Sequence, residues 1–388
     1  MLLTAGMSGE LIAQGDVNQR VDGKLNRRAV EGTGDRFPVN REGLDLSVIT
    51  SIAYDDNIFQ STEDETSSVV VQIEPSIGWT AGKRDNTWIS IAYEGTAVAY
   101  LSESDGNRFD HQIGVEGEVK LDRITLAYNA EWARLGSPSS DVGGTLNRNE
   151  WGGRISALYR PKGKLGYRIF TELSVDDQLD PGFFDFYESS GGIAARYYHS
   201  PKTEVELSYR LGRVDVDGFG NQTFHQVGGQ FVWRPRSKLS VFLEGGLEYR
   251  DYESGSGTDP FLAARIDWRP RPKTSFYLEL YRREEASSFL EGENIEVTGV
   301  RAGVSQALRG GWTVGLEAGR EIADYFGVTG LPETGRRDAI VFVRPTLRYT
   351  VSEDAALAFL YQWSRNNSND PAFGFDNHQF GVSMNYRF

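Results

Sequence analysis

Four histidines are the side chains of this 388-residue chain best suited to moving a proton near neutral pH: His111, His199, His225 and His378. Nucleophilic catalysis would set one of them within hydrogen-bond reach of a serine and a carboxylate or amide. His111, His225 and His378 fall on the apolar side of their segments near long connections, whereas His199 falls at a short turn. His111 or His225 beside a serine could form an outward-facing lipid hydrolase. No nucleophile signature surrounds either, so the chain is expected not to be an enzyme. There is no cysteine, hence no disulfide framework and no thiolate metal site. "DVDGFGN" at 215–221 echoes a calcium loop without its spacing or its final glutamate. No metal or cofactor site is expected.

A larger set of ionisable residues recurs at every second position of apolar segments. Its acids include Glu74, Glu94, Glu116, Glu131, Glu172, Glu206, Glu244 and Glu279. Its bases include Arg154, Arg168, Arg196, Arg210, Arg265, Arg301 and Arg344. Mixed signs at this spacing suit a wall of cross-strand ion pairs, or a selectivity filter, more than paired-carboxylate chemistry. Phe170, Tyr198, Phe242 and Tyr277 share the same face and could stack sugar rings or simply pack. The net charge of −14 argues against nucleic acid as a partner, because phosphate binding needs a basic surface.

The elements that position these residues are strands. In "KTEVELSYRLG", Val205, Leu207, Tyr209 and Leu211 alternate with Glu204, Glu206, Ser208 and Arg210. Successive strand side chains point to opposite faces, so each such segment has one apolar and one polar face. About eighteen segments of this kind are expected, starting near Leu44, Val69, Trp88, Arg108, Ile124, Arg148, Leu165, Phe186, Val205, Thr223, Leu239, Phe261, Thr274, Glu296, Trp312, Ala339, Ala355 and Gln379. Tilted strands of about 9–11 residues cross a bilayer. Mean hydropathy is only −0.44 and no run is long enough for a membrane helix, so by hydropathy alone the chain would pass for soluble.

The connections sort by parity. One set is short and often proline-bearing: "YRPKGK", "YHSPKT", "WRPRSK", "WRPRPK". The other is longer and acidic: "DDNIFQSTEDETSS", "GSPSSDVGGT", "NNSNDPAFGFDN". Aromatics follow the same division. Trp79, Trp88, Tyr159, Trp233, Trp268, Phe276, Trp312, Tyr349 and Phe388 lie toward the short turns. Tyr54, Phe109, Trp132, Trp151, Tyr187, Tyr249 and Trp363 lie toward the long loops. Alternating turn lengths and two aromatic rings are the pattern of an outer-membrane β-barrel whose apolar face meets lipid. The expected fold is therefore all-β, a transmembrane antiparallel barrel of residues 43–388 with both termini periplasmic. The inner face would line a water-filled lumen. Pro75 and Pro345 fall within strands and predict bulges or local breaks.

"YDDNIF" at 54–59 and "IEPSIGW" at 73–79 resemble the beta-barrel porin type 2 family of Gram-negative bacteria. The motifs cover the first two strands; beyond them the likeness is one of strand pattern. The resemblance implies an outer-membrane channel, in some members one linked to exopolysaccharide export. The expected partners are outer-membrane lipid, a hydrophilic solute or polysaccharide, and the outer-membrane assembly machinery. A closed barrel acting through its loops is the alternative.

Residues 1–42 form a polar N-terminal segment, read as the remnant of a signal peptide, a plug or a periplasmic arm. At the other end, Phe380, Tyr386 and the terminal Phe388 form an apolar alternation that resembles the signal by which assembly machinery recognises barrel clients.

Overall fold

The structure, a computed structural model, describes residues 43–388 apart from 64, 84, 140, 141, 143, 219 and 330–333. The polar segment expected over 1–42 lies outside the described residues. Period-two alternation becomes eighteen strands: β1 (Gly43–Asp55), β2 (Ser68–Gly82), β3 (Thr87–Tyr100), β4 (Arg108–Lys120), β5 (Ile124–Ser139), β6 (Gly144–Tyr159), β7 (Leu165–Gln178), β8 (Phe186–Ser200), β9 (Thr203–Val216), β10 (Asn221–Arg236), β11 (Leu239–Tyr252), β12 (Gly255–Arg271), β13 (Thr274–Ala286), β14 (Glu293–Ala307), β15 (Trp312–Gly327), β16 (Arg337–Thr350), β17 (Ala355–Ser368) and β18 (Phe375–Arg387). They run to between 13 and 17 residues, against an average of about 5–6 in soluble proteins.

Each strand pairs antiparallel with its neighbours in sequence. β18 returns to β1 in one register from Ser47↔Arg387 to Asp55↔Gln379, closing the sheet into a barrel. Closure removes the edge strands that an open sheet of this length would expose. The largest departure from expectation is β12, which starts at Gly255 rather than near Phe261. The residues before Phe261 are Gly, Ser, Thr, Asp and Pro, which read as loop but continue the ladder with β11.

Three proline-bearing short turns shift register at Tyr198/Ser200, Trp233/Arg236 and Trp268/Arg271. Proline has no N–H for the ladder, so the strand bulges there. Pro75 and Pro345 break the ladder without a bulge. The β2–β3 pairing steps from Ile73↔Ala97 to Ser76↔Glu94, and the β16–β17 pairing from Val343↔Trp363 to Thr346↔Leu360, each in unchanged register.

The two faces are the reverse of those of a water-soluble domain. Ile155, Ile193 and Leu207 point outward and are 62%, 62% and 64% exposed, while Glu206 and Arg250 point inward and are each 3% exposed. Trp79, Trp151, Trp233, Trp268 and Trp312 stand on the outward face at the strand ends. Trp88 does not join that ring. It shares parity with buried Ser90 and Ala92 and pairs with Glu118, so it lies on the inward face.

Inward aromatics lie over glycines directly opposite them: Tyr281 over Gly299, Tyr277 over Gly303, Phe224 over Gly212 and Phe170 over Gly192. A Cβ at Gly299 or Gly303 would overlap the tyrosine ring. Bare glycine lets a large ring lie flat on the wall, which leaves more of the bore clear.

Candidate functional site

Inward charges pair across neighbouring strands. Glu172 lies 3.0 Å from Arg154 and 3.2 Å from Arg210, and Arg210 also reaches Glu188 at 2.6 Å. Glu206 takes Arg196 at 2.8 Å together with Arg168. Arg265 pairs with Glu279. Glu317 sits 2.6 Å from Arg301 and 4.0 Å from Arg344. In the most buried of these, Arg168–Glu206 with side chains 7% and 3% exposed, removing one member costs about 3–5 kcal/mol, because the other charge is left uncompensated. Two phenyl rings stiffen the array. Phe170 has Arg154 and Arg168 at 4.8 and 4.7 Å from its centroid, and Phe224 has Arg210 and Arg250 at 4.9 and 5.2 Å. Phe170 and Tyr277 are thus wall-packed and in contact with arginine, not bare stacking platforms.

Among the wall charges singled out from sequence the signs divide by strand, although β4 also carries inward Arg108 and Lys120, paired with Asp110 and Glu118. Glu74, Glu94, Glu116 and Glu131 stand on β2, β3, β4 and β5, whereas Arg154, Arg168, Arg196, Arg210, Arg265, Arg301 and Arg344 all come from β6 onward. Strand counting alone concealed this, because the totals of the two signs are similar.

At the long-loop end, β13, β14 and β15 break the parity rule. Glu284, Asn294 and Phe326 stand on positions that should face outward. Glu284 nevertheless accepts from Tyr252 Oη at 3.0 Å and lies 3.5 Å from Arg250. Asn294 exchanges two hydrogen bonds of 2.9 Å with Gln222. Phe326 meets the Tyr252 ring edge-on at 6.3 Å. Gln222, Arg250 and Tyr252 are inward residues of β10 and β11. The upper ends of β13–β15 have therefore folded into the barrel and lie against the inner surface of β10–β11.

The ladder permits this. β12 and β13 pair from Leu262↔Arg282 downward, while residues 255–261 pair with β11 and residues 283–286 with β14. Pro260 lies in the released stretch and has no N–H to offer a partner.

Long loops then strap this flap across the mouth. Phe184 N donates to Ser288 O at 2.9 Å. The rings of Phe183 and Phe289 lie 6.0 Å apart, and those of Phe289 and Phe373 5.8 Å apart. The Arg336 guanidinium sits 3.4 Å from the Phe373 centroid. Beneath the flap a cleft is lined by Glu131, Arg154, Glu172 and Arg210 together with Arg250 and Arg283–Ala286. A second cavity shares Arg154, Glu172 and Arg210 with it and continues to Glu206 and Glu244. Together they form a charged path along the inner wall.

Sequence reasoning named wall charges but missed Gln222, Arg283, Glu284, Asn294 and the three mouth phenylalanines. A hint was available in the apolar "SSFL" at 287–290, an unusual content for a loop exposed to water.

The rim histidines are held by tyrosines. Nδ1 of His111, His225 and His378 lies 3.0, 2.8 and 2.8 Å from the hydroxyls of Tyr93, Tyr209 and Tyr361. None of the described hydrogen bonds joins a histidine ring to a serine.

No family model matches the chain, and no curated protein matches it. Solved structures that it resembles include OpdQ of Pseudomonas aeruginosa, at 11% identity and TM-score 0.46, covering 89% of this chain and 97% of that one. OccK1 (OpdK) of the same organism is similar at 12% identity and TM-score 0.45, covering 89% and 98%. OpdK with vanillate gives 12% identity and TM-score 0.44, covering 89% and 98%. The siderophore receptor PirA, also of P. aeruginosa, gives 10% identity and TM-score 0.42, covering 90% and 80%. The closed barrel rests on the strand pairing itself and not on these likenesses.

Proposed function

We propose that the chain is an outer-membrane channel that passes small hydrophilic solutes through a mouth narrowed by the β13–β15 flap. The observation that carries the reading is the inverted distribution of polarity: aliphatic side chains exposed on the outside, ionised pairs and cavities inside. An apolar band with aromatic rims suits hydrocarbon, since burial in lipid is worth about 25 cal/mol per Å² of apolar surface. Charges lining an aqueous lumen avoid the desolvation that hydrocarbon would impose. The first and last strands end together at the short-turn rim, where Phe388 N donates to Leu46 O at 2.9 Å. We place that rim in the periplasm and the long loops outside.

The near balance of arginine and glutamate along the path favours uncharged or zwitterionic solutes over a strongly anionic or cationic cargo. A part in polysaccharide export rests on the resemblance of "YDDNIF" and "IEPSIGW" alone. The straps between Phe183, Phe289 and Phe373 favour a second reading, a closed barrel that acts through its loops. Single-channel recording separates the two. Refolded full-length protein should open discrete conductance steps in a planar bilayer, and silence across repeated insertions of heat-modifiable protein would leave the closed barrel.

A further inference from the structure

Four neighbouring strands carry two registered rows on the outward face near the long loops. The lower row is Ile113, Trp132, Trp151 and Val175; the upper is His111, Arg134, Asn149 and Asp177. The step from apolar to polar between adjacent rows marks the level where hydrocarbon gives way to headgroups.

The rings of the patch are contiguous. His111 is stacked on Trp132 at 6.3 Å and meets Phe109 edge-on at 4.6 Å, and Trp132 lies 5.8 Å from Trp151. Tyr93 Oη, 3.0 Å from His111 Nδ1, fixes the imidazole orientation.

Arg134 is the unusual member. Other outward arginines toward this rim, Arg320 excepted, are matched by carboxylates: Arg213 by Asp215 at 2.9 Å, Arg337 by Asp324 at 3.2 Å, and Arg365 by Asp376. Arg134 is exposed and has no ion pair among the described residues. The acid in its row, Asp177, accepts from Asn149 Nδ2 at 2.9 Å and is held on the far side of that amide. Arg320, also outward and exposed, is flanked in register by Val300 and Val341 instead of rings.

We propose that this patch docks the phosphorylated sugar headgroup of the outer leaflet's glycolipid. Sugar would lie against the Trp132–Trp151 face while Arg134 takes a phosphate. The inference rests on the outer-membrane reading. An unmatched guanidinium at headgroup level pairs with phosphate through charge-assisted hydrogen bonds, and the rings beside it offer flat apolar faces to pyranose C–H groups.

Native mass spectrometry of the detergent-purified full chain, titrated with bis-phosphorylated lipid A, tests it. Arg134→Glu should weaken binding about tenfold or more, since it removes a cation that attracts the charged headgroup and adds repulsion in its place. Trp132→Ala should weaken it too. The double variant Arg213→Gln/Asp215→Asn, which removes a matched pair elsewhere on the rim, should bind as the parent does. Phosphatidylglycerol should bind less tightly than lipid A and depend less on Trp132. Undiminished binding by Arg134→Glu overturns the proposal. So does equal weakening in the double variant, or phosphatidylglycerol binding that matches lipid A. Heat-modifiable gel mobility shows that each variant is folded. Conductance in phosphatidylcholine bilayers, which contain no glycolipid, reports separately on the channel.

Discussion

The amide of Gln379 in the last strand donates to the Asp55 carboxylate in the first, Nε2 to Oδ2 at 2.6 Å, across the seam where the barrel closes. The same carboxylate accepts from Asn377 Nδ2 at 2.5 Å and from Asn57 N at 3.0 Å, and Asp55 is 2% exposed. Asn57, wholly buried, binds Ser61 O at 2.8 Å and Asp376 O at 3.1 Å. The motif "YDDN" is thus a polar clasp to β18, whose partner residues lie 319 or more residues away in sequence.

Replacing that carboxylate should loosen the seam. Asp55→Ala strands buried donors, each costing about 1–3 kcal/mol. The variant is expected to unfold from lipid vesicles at lower urea concentration than the parent, with a loss of at least about 2 kcal/mol. Asp55→Asn should fall between, because its amide keeps one acceptor and turns a donor toward other donors. Equal midpoints for Asp55→Ala and the parent, followed by tryptophan fluorescence, would rule the clasp out as a source of stability.

The flap should set the size of the pore. Phe289 ties its tip to Phe183 and Phe373, and Glu284 ties its root to Tyr252 and Arg250. Phe289→Ala combined with Tyr252→Phe removes one tie of each kind while leaving the lower barrel intact. Conductance per channel should rise by about twofold or more if the flap is the narrowest point. An unchanged conductance would place the constriction elsewhere.

How much of this was legible in sequence depended on the range of the interaction. Strands such as 203–216 announce themselves because alternation is local: each residue's neighbour reports its face. The inward positions of Glu172, Glu206, Arg168 and Arg210 followed directly. The flap did not, since Asn294 and Gln222 are 72 residues apart and the fold-in reverses the parity from which faces are read. Trp88 was misplaced for a related reason, its ring type suggesting an interface while its register with Glu118 turns it inward. The clasp motif was visible, but its four residues gave no sign that their partners lay at the other end of the chain.

Charge in the cleft should tune selectivity with opposite signs on its two sides. Glu131 on β5 and Arg283 on the flap both bound the cleft. Glu131→Gln should move the zero-current potential in a salt gradient toward anion preference, and Arg283→Gln toward cation preference. With the two signs nearly balanced in the parent, each shift should be resolvable against a weak starting selectivity. Shifts of the same sign, or none, would show that ions do not pass between these residues.

We propose that the aromatic side chain of Phe388 serves assembly and not conduction. Phe388 is 76% exposed, packs edge-on against Tyr386 at 4.9 Å, and is not among the residues that line the cleft. Its backbone N–H pairs with Leu46 O at the short-turn rim. Tyr386 and Phe380 continue the same outward row along β18, opposite Val48 and Tyr54 of β1. On this proposal the row would be presented before closure, when β18 has a free edge for the assembly machinery to hold. Removing Phe388 should lower the fraction of protein reaching a heat-modifiable, membrane-inserted form in cells. The molecules that do insert should conduct as the parent does, because the cleft and flap are untouched. Protein lacking Phe388 that inserts at the parent's yield would argue that the machinery reads another part of the strand. If insertion is normal but conductance falls, the end of β18 would instead be supporting the bore.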